Sequence, residues 1–341
     1  MKTAIRNSSF NEIKSLLQKI DSDQILIVVD SRVWEIYKKT LKENSPENKD
    51  VIIYKALEGE ETKTFQELER CLEFFIEKRV HRNAHMVAIG GGAISDFTGF
   101  VAASINRGIS WSIIPTTLLS MVDASIGGKT GINSKHGKNL IGAFHLPENI
   151  WLNLDFLESL SSDHFTSGVG EIIKYAFLSE KINNLIKNGE DLLEIIEACA
   201  SFKEEIVEKD FKEKGDRICL NLGHTFGHAL EKIYSLPHGV AIFWGLSLIF
   251  KLKGQDEFLE HLRILEKGLN VEFGSPPWFN KSFPVVKIMD YVSKDKKVRS
   301  TKKIDTIQIK KIGTFEIESF ELSEMENILE TKKEELRGFN F

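Results

Sequence analysis

His85-Met86-Val87-Ala88-Ile89-Gly90-Gly91-Gly92-Ala93-Ile94-Ser95-Asp96 reads as an apolar strand, a turn of three glycines and the start of a helix with the apolar face Ile94, Phe97, Val101 and Ala102. Residues without side chains at that turn let a diphosphate approach backbone N–H groups at a helix N-terminus, where the helix dipole also favours an anion. The spacing is not the usual G-x-G-x-x-G, and a tight strand-to-helix turn would use the same residues. Towards the N-terminus, short β-branched runs at 24–30 and 51–57 alternate with amphipathic stretches at 32–41 and 63–78. That rhythm predicts a parallel sheet with crossover helices, an α/β fold. Past residue 160 it gives way to long helical patterns at 165–178, 191–211, 217–235 and 258–269, a mainly helical second domain. Residues 305–311 and 314–320, around Ile312-Gly313, predict a hairpin, followed by a charged helix to Gly338.

The 341 residues are 42% hydrophobic and 28% charged, enough apolar material for a sizeable core and two domains. With a net charge of -5 and acidic and basic residues interspersed, the chain has no basic stripe of the kind nucleic acid would require. The apolar run 239–250 is shorter than the roughly 20 residues needed to span a bilayer and reads as a buried helix, so no membrane role is expected. Cys71, Cys199 and Cys219 are odd in number and far apart, which suits neither a disulfide framework nor a zinc finger and fits a reducing cytoplasm. No export signal is visible at residues 1–10.

Beyond the glycine turn lie Pro115-Thr116-Thr117-Leu118-Leu119, Asp123, Gly127-Gly128-Lys129-Thr130-Gly131 and Gly137-Lys138-Asn139. Two Gly-Lys pairs are expected to place two ammonium groups in loops that approach a phosphorylated ligand, although solvated loop lysines have the same pattern. This is not a Walker A loop, because the leading glycine and four-residue spacing are absent before Lys129. Further on, Asn221, His224, His228 and Glu231 are spaced three, four and three apart, so one helix would carry all four on one face. Glu171 and Lys174 sit one turn apart, and His238 opens the apolar helix. Imidazoles and a carboxylate are zinc ligands, and a catalytic zinc takes three of them and keeps an open position, a set that Glu171, His224 and His238 would supply. Spacing alone does not choose between His224 and His228, and a His-x-x-x-His pair satisfies it equally.

Taken in order, Gly-Gly-Gly-x-x-x-Asp, Pro-Thr-Thr-Leu-Leu, Gly-Gly-Lys-Thr-Gly, Gly-Lys-Asn, Glu-x-x-Lys and Asn-x-Gly-His-Thr-Phe-Gly-His resemble the 3-dehydroquinate synthases and related sugar-phosphate cyclases, over about residues 30–298. The resemblance implies a Rossmann-like NAD-binding domain over residues 1–160 and a mainly helical zinc- and substrate-binding domain over 161–341. It assigns the metal, zinc or alternatively cobalt, to Glu171, His224 and His238. NAD is assigned to Asp30, Glu60, Lys63, Gly90, Gly91, Gly92, Asp96, Thr116, Thr117, Asp123, Lys138 and Ser159. Contacts to a sugar-phosphate substrate fall to Lys129, Asn139, Lys174, Lys203, Arg217, Asn221, His228 and Lys296, the last with Lys294 and Lys297 alongside. Arg107 would reach a neighbouring subunit's site, which implies a homodimer.

The activity implied is conversion of 3-deoxy-D-arabino-heptulosonate 7-phosphate to 3-dehydroquinate and phosphate, with NAD recycled through transient oxidation, elimination, reduction and aldol closure. Another sugar-phosphate cyclase, an NAD-dependent polyol dehydrogenase of the related metal-dependent family and, suggested only by Val240, a non-catalytic NAD-binding paralogue are the competing readings. Two positions depart from the family pattern: Ser159 replaces a threonine and keeps the hydroxyl, and Val240 replaces the glutamate of His-Gly-Glu-Ala-Val. If that glutamate orients the ligand histidine, its loss weakens the metal.

Overall fold

In the computed structural model, which describes residues 3–213, 215–294, 298–300 and 303–340, the described residues fall into two compact units. One runs to Ser161 and includes Lys203–Lys212; the other comprises Ser162–Phe202 and the chain from Glu213.

The first unit is built on eight strands: β1 (Ala4–Ser8), β2 (Gln24–Asp30), β3 (Asp50–Ala56), β4 (His85–Gly90), β5 (Ser110–Pro115), β6 (Lys129–Ser134), β7 (Gly137–Phe144) and β8 (Asn149–Asn153). Six form one sheet in the order β1-β8-β5-β4-β2-β3, every neighbour pair parallel. All residues of β2 and β4 are buried, as a central parallel strand covered on both faces must be, which is why both read as continuous apolar runs.

Its helices are α1 (Ile13–Gln18), α2 (Ser31–Glu43), α3 (Phe65–Glu77) and α4 (Gly92–Ser104). Asp30 caps α2, its carboxylate accepting from Arg32 N at 2.8 Å, and Thr64 caps α3 by accepting from Glu67 N at 3.1 Å. Helix α3 buries Glu67, Cys71 and Phe75, four residues apart along one stripe, and the buried Glu67 accepts from Tyr54 OH at 2.9 Å.

The chain runs from β2 to β3 on one side and then, through β4, to strands on the other, so the strand order reverses between β2 and β4. Ligands of open α/β sheets bind outside the carboxyl ends of the strands at such a switch point. Asp30 ends β2 and Gly90 ends β4.

The second unit holds α5 (Ser162–Leu178), α6 (Glu180–Asn188), most of α7 (Leu192–Lys209), α8 (His224–Tyr234), α9 (His238–Lys253), α10 (Asp256–Gly268), α11 (Val285–Ser293), α12 (Leu322–Thr331) and α13 (Lys333–Arg337). Helix α9 buries Gly239 and every residue from Ala241 to Phe250, so it is a central helix wrapped by others. No helix among the described residues is long and apolar enough to cross a membrane. A three-stranded antiparallel sheet, β11-β10-β9, completes the unit from β9 (Val298–Ser300), β10 (Lys303–Lys311) and β11 (Thr314–Glu321), and its β10–β11 hairpin turns at Gly313.

Two expectations change. Lys129 and Lys138 do not lie in loops: they stand on β6 and β7, which pair antiparallel with Lys129 opposite Phe144. The glycines there serve close strand approach, since a Cβ on Gly142 would overlap the Thr130 carbonyl oxygen. The second change concerns Asn221, which is not on the helix of His224, His228 and Glu231. It ends a separate 3-10 turn, Asp216–Asn221, because Gly223 adopts φ 78° and breaks the helix.

Candidate functional site

Glu171 lies on α5, while His224 and His238 are the first residues of α8 and α9. Three helices thus bring three ligand-type groups together, each offering one ligand atom within 4.8 Å of the others. Glu171 is fully buried, and its Oε1 lies 3.3 Å from His238 Nε2 and 3.8 Å from His224 Nε2. Each imidazole is held from behind: His224 Nδ1 contacts the Leu222 carbonyl at 3.1 Å, and His238 Nδ1 contacts Glu231 Oε2 at 2.9 Å. Both Nε2 atoms therefore face Glu171.

Backbone packing creates this convergence. A Cβ on Gly170 would overlap the Gly239 carbonyl, and a Cβ on Gly239 would overlap the Ser167 carbonyl, so α5 and α9 touch main chain to main chain beside Glu171 and His238. The Gly239 N–H donates to Ser167 Oγ at 3.1 Å at the same crossing. Burial works to lower the pKa of His238, but its hydrogen bonds with Glu171 and Glu231 and their charges outweigh this and raise it to about 9. Two carboxylates thus flank the ring, and two imidazoles with a carboxylate are the donor set of an open zinc site.

Lys174, buried one turn from Glu171, ion-pairs with Glu171 Oε2, and its ammonium lies 4.4 Å from the Tyr175 ring centroid. His228 stands in the same cluster, 5.2 Å from His224 and 5.9 Å from His238 between ring centroids, one turn along α8. Arg217 is buried in the 3-10 turn that ends at Asn221.

In the first unit, Asp30, Gly90–Gly92, Thr116 and Thr117 stand at or just past the carboxyl ends of β2, β4 and β5. Thr116 N donates to the Gly90 carbonyl at 2.9 Å. A Cβ on Gly90 would come within 2.6 Å of Ile94 Cβ and one on Gly92 within 2.7 Å of Ala124 Cβ, so a side chain at either would force a shift, while one on Gly91 would press on Thr117 Cγ2 at 3.1 Å. The result is a bare backbone at a helix N-terminus, which fits a diphosphate.

Beside it, Lys63 is 2% exposed and reaches Asp96 Oδ2 at 2.6 Å and Asn139 Oδ1. Burial pushes the Asp96 carboxyl up to about 6 while Lys63 pulls it down. Glu60 Oε1 accepts from Asn133 Nδ2 at 2.7 Å and lies 3.9 Å from Lys138 Nζ. Lys203 binds Asp123 at both its carbonyl, 2.6 Å, and its carboxylate, 2.8 Å.

The family model described as 3-dehydroquinate synthase N-terminal matches residues 53–167, and that described as 3-dehydroquinate synthase C-terminal matches residues 168–298. The chain belongs to the 3-dehydroquinate synthase family. Within that family, the 3-dehydroquinate synthase of Rhizobium johnstonii is 35% identical over 311 residues, 84% of this chain and 82% of the relative. That of Campylobacter hominis is 34% identical over 316 residues, 90% of each chain.

Among solved structures, the 2-epi-5-epi-valiolone synthase ValA from Streptomyces hygroscopicus subsp. jinggangensis 5008, with NAD+ and Zn2+ bound, matches with a TM-score of 0.81 at 21% identity over 98% of each chain. A 2-deoxy-scyllo-inosose synthase complexed with carbaglucose-6-phosphate, NAD+ and Co2+ matches at 0.78 and 21%, over 96% of each. At that identity the likeness is one of fold.

Against the residues that the family resemblance singles out, Arg107 is exposed and carries φ 67°, and the Ser159 hydroxyl accepts from Tyr37 OH at 2.8 Å. Lys296 lies outside the described residues. Sequence reading missed two links: Glu231 to His238, and Lys63 to Asn139. The first joins residues on different helices and the second residues 76 apart in the chain, so no periodicity reports either.

Proposed function

We propose that this chain converts 3-deoxy-D-arabino-heptulosonate 7-phosphate to 3-dehydroquinate and phosphate, with NAD and a divalent metal, zinc or cobalt, as resident cofactors. The observation that carries this reading is the convergence of Glu171, His224 and His238 in a chain of the 3-dehydroquinate synthase family. When bound, the metal lowers the pKa of a substrate hydroxyl and polarises the carbonyl it becomes, and NAD supplies the reversible hydride exchange.

The chain's own residues do the rest. Glu171, His224 and His238 hold the metal. The Lys174 ammonium, paired to Glu171, holds a proton at Nζ beside that cluster, and His228 donates or accepts a hydrogen bond one turn from His224. The bare turn Gly90–Gly92, with Asp30, Thr116, Thr117, Asp96, Lys63, Glu60, Asp123, Lys138 and Ser159, holds NAD at the switch point of the sheet.

Lys129 and Asn139 gather the substrate phosphate together with Arg107 of a neighbouring subunit, so the enzyme is a homodimer. Lys203 and Arg217 take the carboxylate, Asn221 a hydroxyl, and Lys296 completes the set. Burial of Arg217 favours a bidentate guanidinium contact, because such a contact strengthens when water is excluded.

The C–O bond to phosphate breaks by elimination, not hydrolysis, which makes the enzyme a carbon–oxygen lyase. Three buried free cysteines favour a reducing cytoplasm. Phosphate release from the heptulosonate phosphate, with NAD substoichiometric, tests the proposal. Many turnovers per NAD support it; stoichiometric accumulation of NADH overturns it in favour of a dehydrogenase.

A further inference from the structure

His238 has two ring nitrogens, and the structure gives each a different neighbour. Nδ1 is 2.9 Å from Glu231 Oε2, and Nε2 is 3.3 Å from Glu171 Oε1, inside the three-donor cluster. An imidazole that donates from Nδ1 to a carboxylate is fixed in orientation and presents its Nε2 lone pair in one direction. Glu231 and His224 lie seven residues apart on α8, two turns along one face, so the helix that contributes His224 also contributes the carboxylate behind His238. Ser235, at φ 54°, ends α8 and turns the chain into α9, bringing residue 238 back against residue 231. The side chain two positions after His238 does not substitute for this contact: residues i and i+2 of a helix do not face each other, and the Val240 side chain carries no polar atom.

We infer that Glu231 is the positioning residue of the metal site, setting the tautomer and direction of His238, and that Val240 takes no part in orienting that ring. This rests on the metal reading above. The test is zinc affinity, measured by competition with a chromogenic chelator on Glu231→Ala, Glu231→Gln, Val240→Ala and the unaltered protein. Thermal melts of the metal-free forms accompany it.

Glu231→Ala should bind zinc about 10- to 100-fold more weakly, the usual effect of losing such a partner. Glu231→Gln, which keeps an acceptor oxygen at the same reach, should lose several-fold, and Val240→Ala should match the unaltered protein. Should Glu231→Ala fail to fold, Glu231→Gln carries the test. Unchanged zinc affinity in a folded Glu231 variant overturns the inference, as does a loss in Val240→Ala equal to that in Glu231→Ala. A purely structural role would lower the melting temperature of the metal-free protein without weakening zinc, and that result also overturns it. If the unaltered protein binds no zinc, the metal reading itself fails and this inference falls with it.

Discussion

Gly170 and Gly239 meet main chain to main chain where α5 crosses α9, so the residues beside them, Glu171 and His238, are held 3.3 Å apart between ligand atoms. A methyl group at either glycine would force the helices apart. Overpacking of this kind costs about 1–3 kcal/mol and more where backbone rather than side chain must yield. Gly239→Ala should therefore lower both the melting temperature and the zinc content per chain. Unaltered zinc stoichiometry in folded Gly239→Ala would show that the crossing does not set the site.

Removing a ligand differs from displacing one. His238→Ala should leave the fold in place, abolish turnover and lower zinc content, and chelation of the unaltered enzyme should abolish an activity that added zinc restores. Full activity in metal-free protein, measured by phosphate release, contradicts the ligand set.

Lys63→Met tests the other unit. It strips the ammonium from Asp96 and Asn139. Breaking a fully buried pair costs about 3–5 kcal/mol. Asp96 keeps 22% of its side chain exposed, so a loss of about 2 kcal/mol in denaturant unfolding is expected here. NAD affinity should drop while zinc content holds, and equal affinity in calorimetric titration would remove Lys63 from the cofactor site.

The proposed substrate choice rests on Lys203 and Arg217, and Arg217 offers the sharper test. A charge-assisted bidentate contact contributes about 1.5–3 kcal/mol, so Arg217→Met should lower kcat/KM for the carboxylated heptulosonate phosphate roughly tenfold to more than a hundredfold, with NAD affinity and zinc content retained. A preference of the unaltered enzyme for sedoheptulose 7-phosphate, which lacks the carboxylate, would transfer the assignment to another sugar-phosphate cyclase.

Acid stability should report His85, which is 3% exposed at the start of β4 and hydrogen-bonded to Ser112 Oγ at 2.8 Å. Burial, opposed by Glu148 and assisted by Lys49, lowers its pKa from 6.5 to about 4. Between those values the unfolded chain binds more protons than the folded one, so stability rises with pH through the window. The contribution is complete above pH 6.5 and is lost as pH falls towards 4, roughly 3 kcal/mol in all. Urea unfolding of His85→Gln should show a flatter dependence over that range. A slope equal to that of the unaltered protein would refute the attribution.

The fold was legible where burial is uniform along an element. β2 matches its apolar run residue for residue, and α9, buried from Ala241 to Phe250, contains the apolar run 239–250. Strands that are short or half-exposed left no such trace. β1 pairs with β8 across 145 positions, and β7 is exposed or half-exposed throughout, so the β6–β7 hairpin passed for two lysine-bearing loops.

The sequence by itself determined which donor types are available, a carboxylate and several imidazoles, and the glycine turn at 90–92, because ligand chemistry and backbone freedom belong to residue identity. Only the tertiary structure decided that Asn221 leaves the helix at Gly223, that His224 and not His228 joins Glu171 and His238 within 4.8 Å, and that Glu231 stands behind His238. Those outcomes depend on where α5, α8 and α9 cross, and the crossings are set by contacts between backbones far apart in the chain, which local periodicity does not encode.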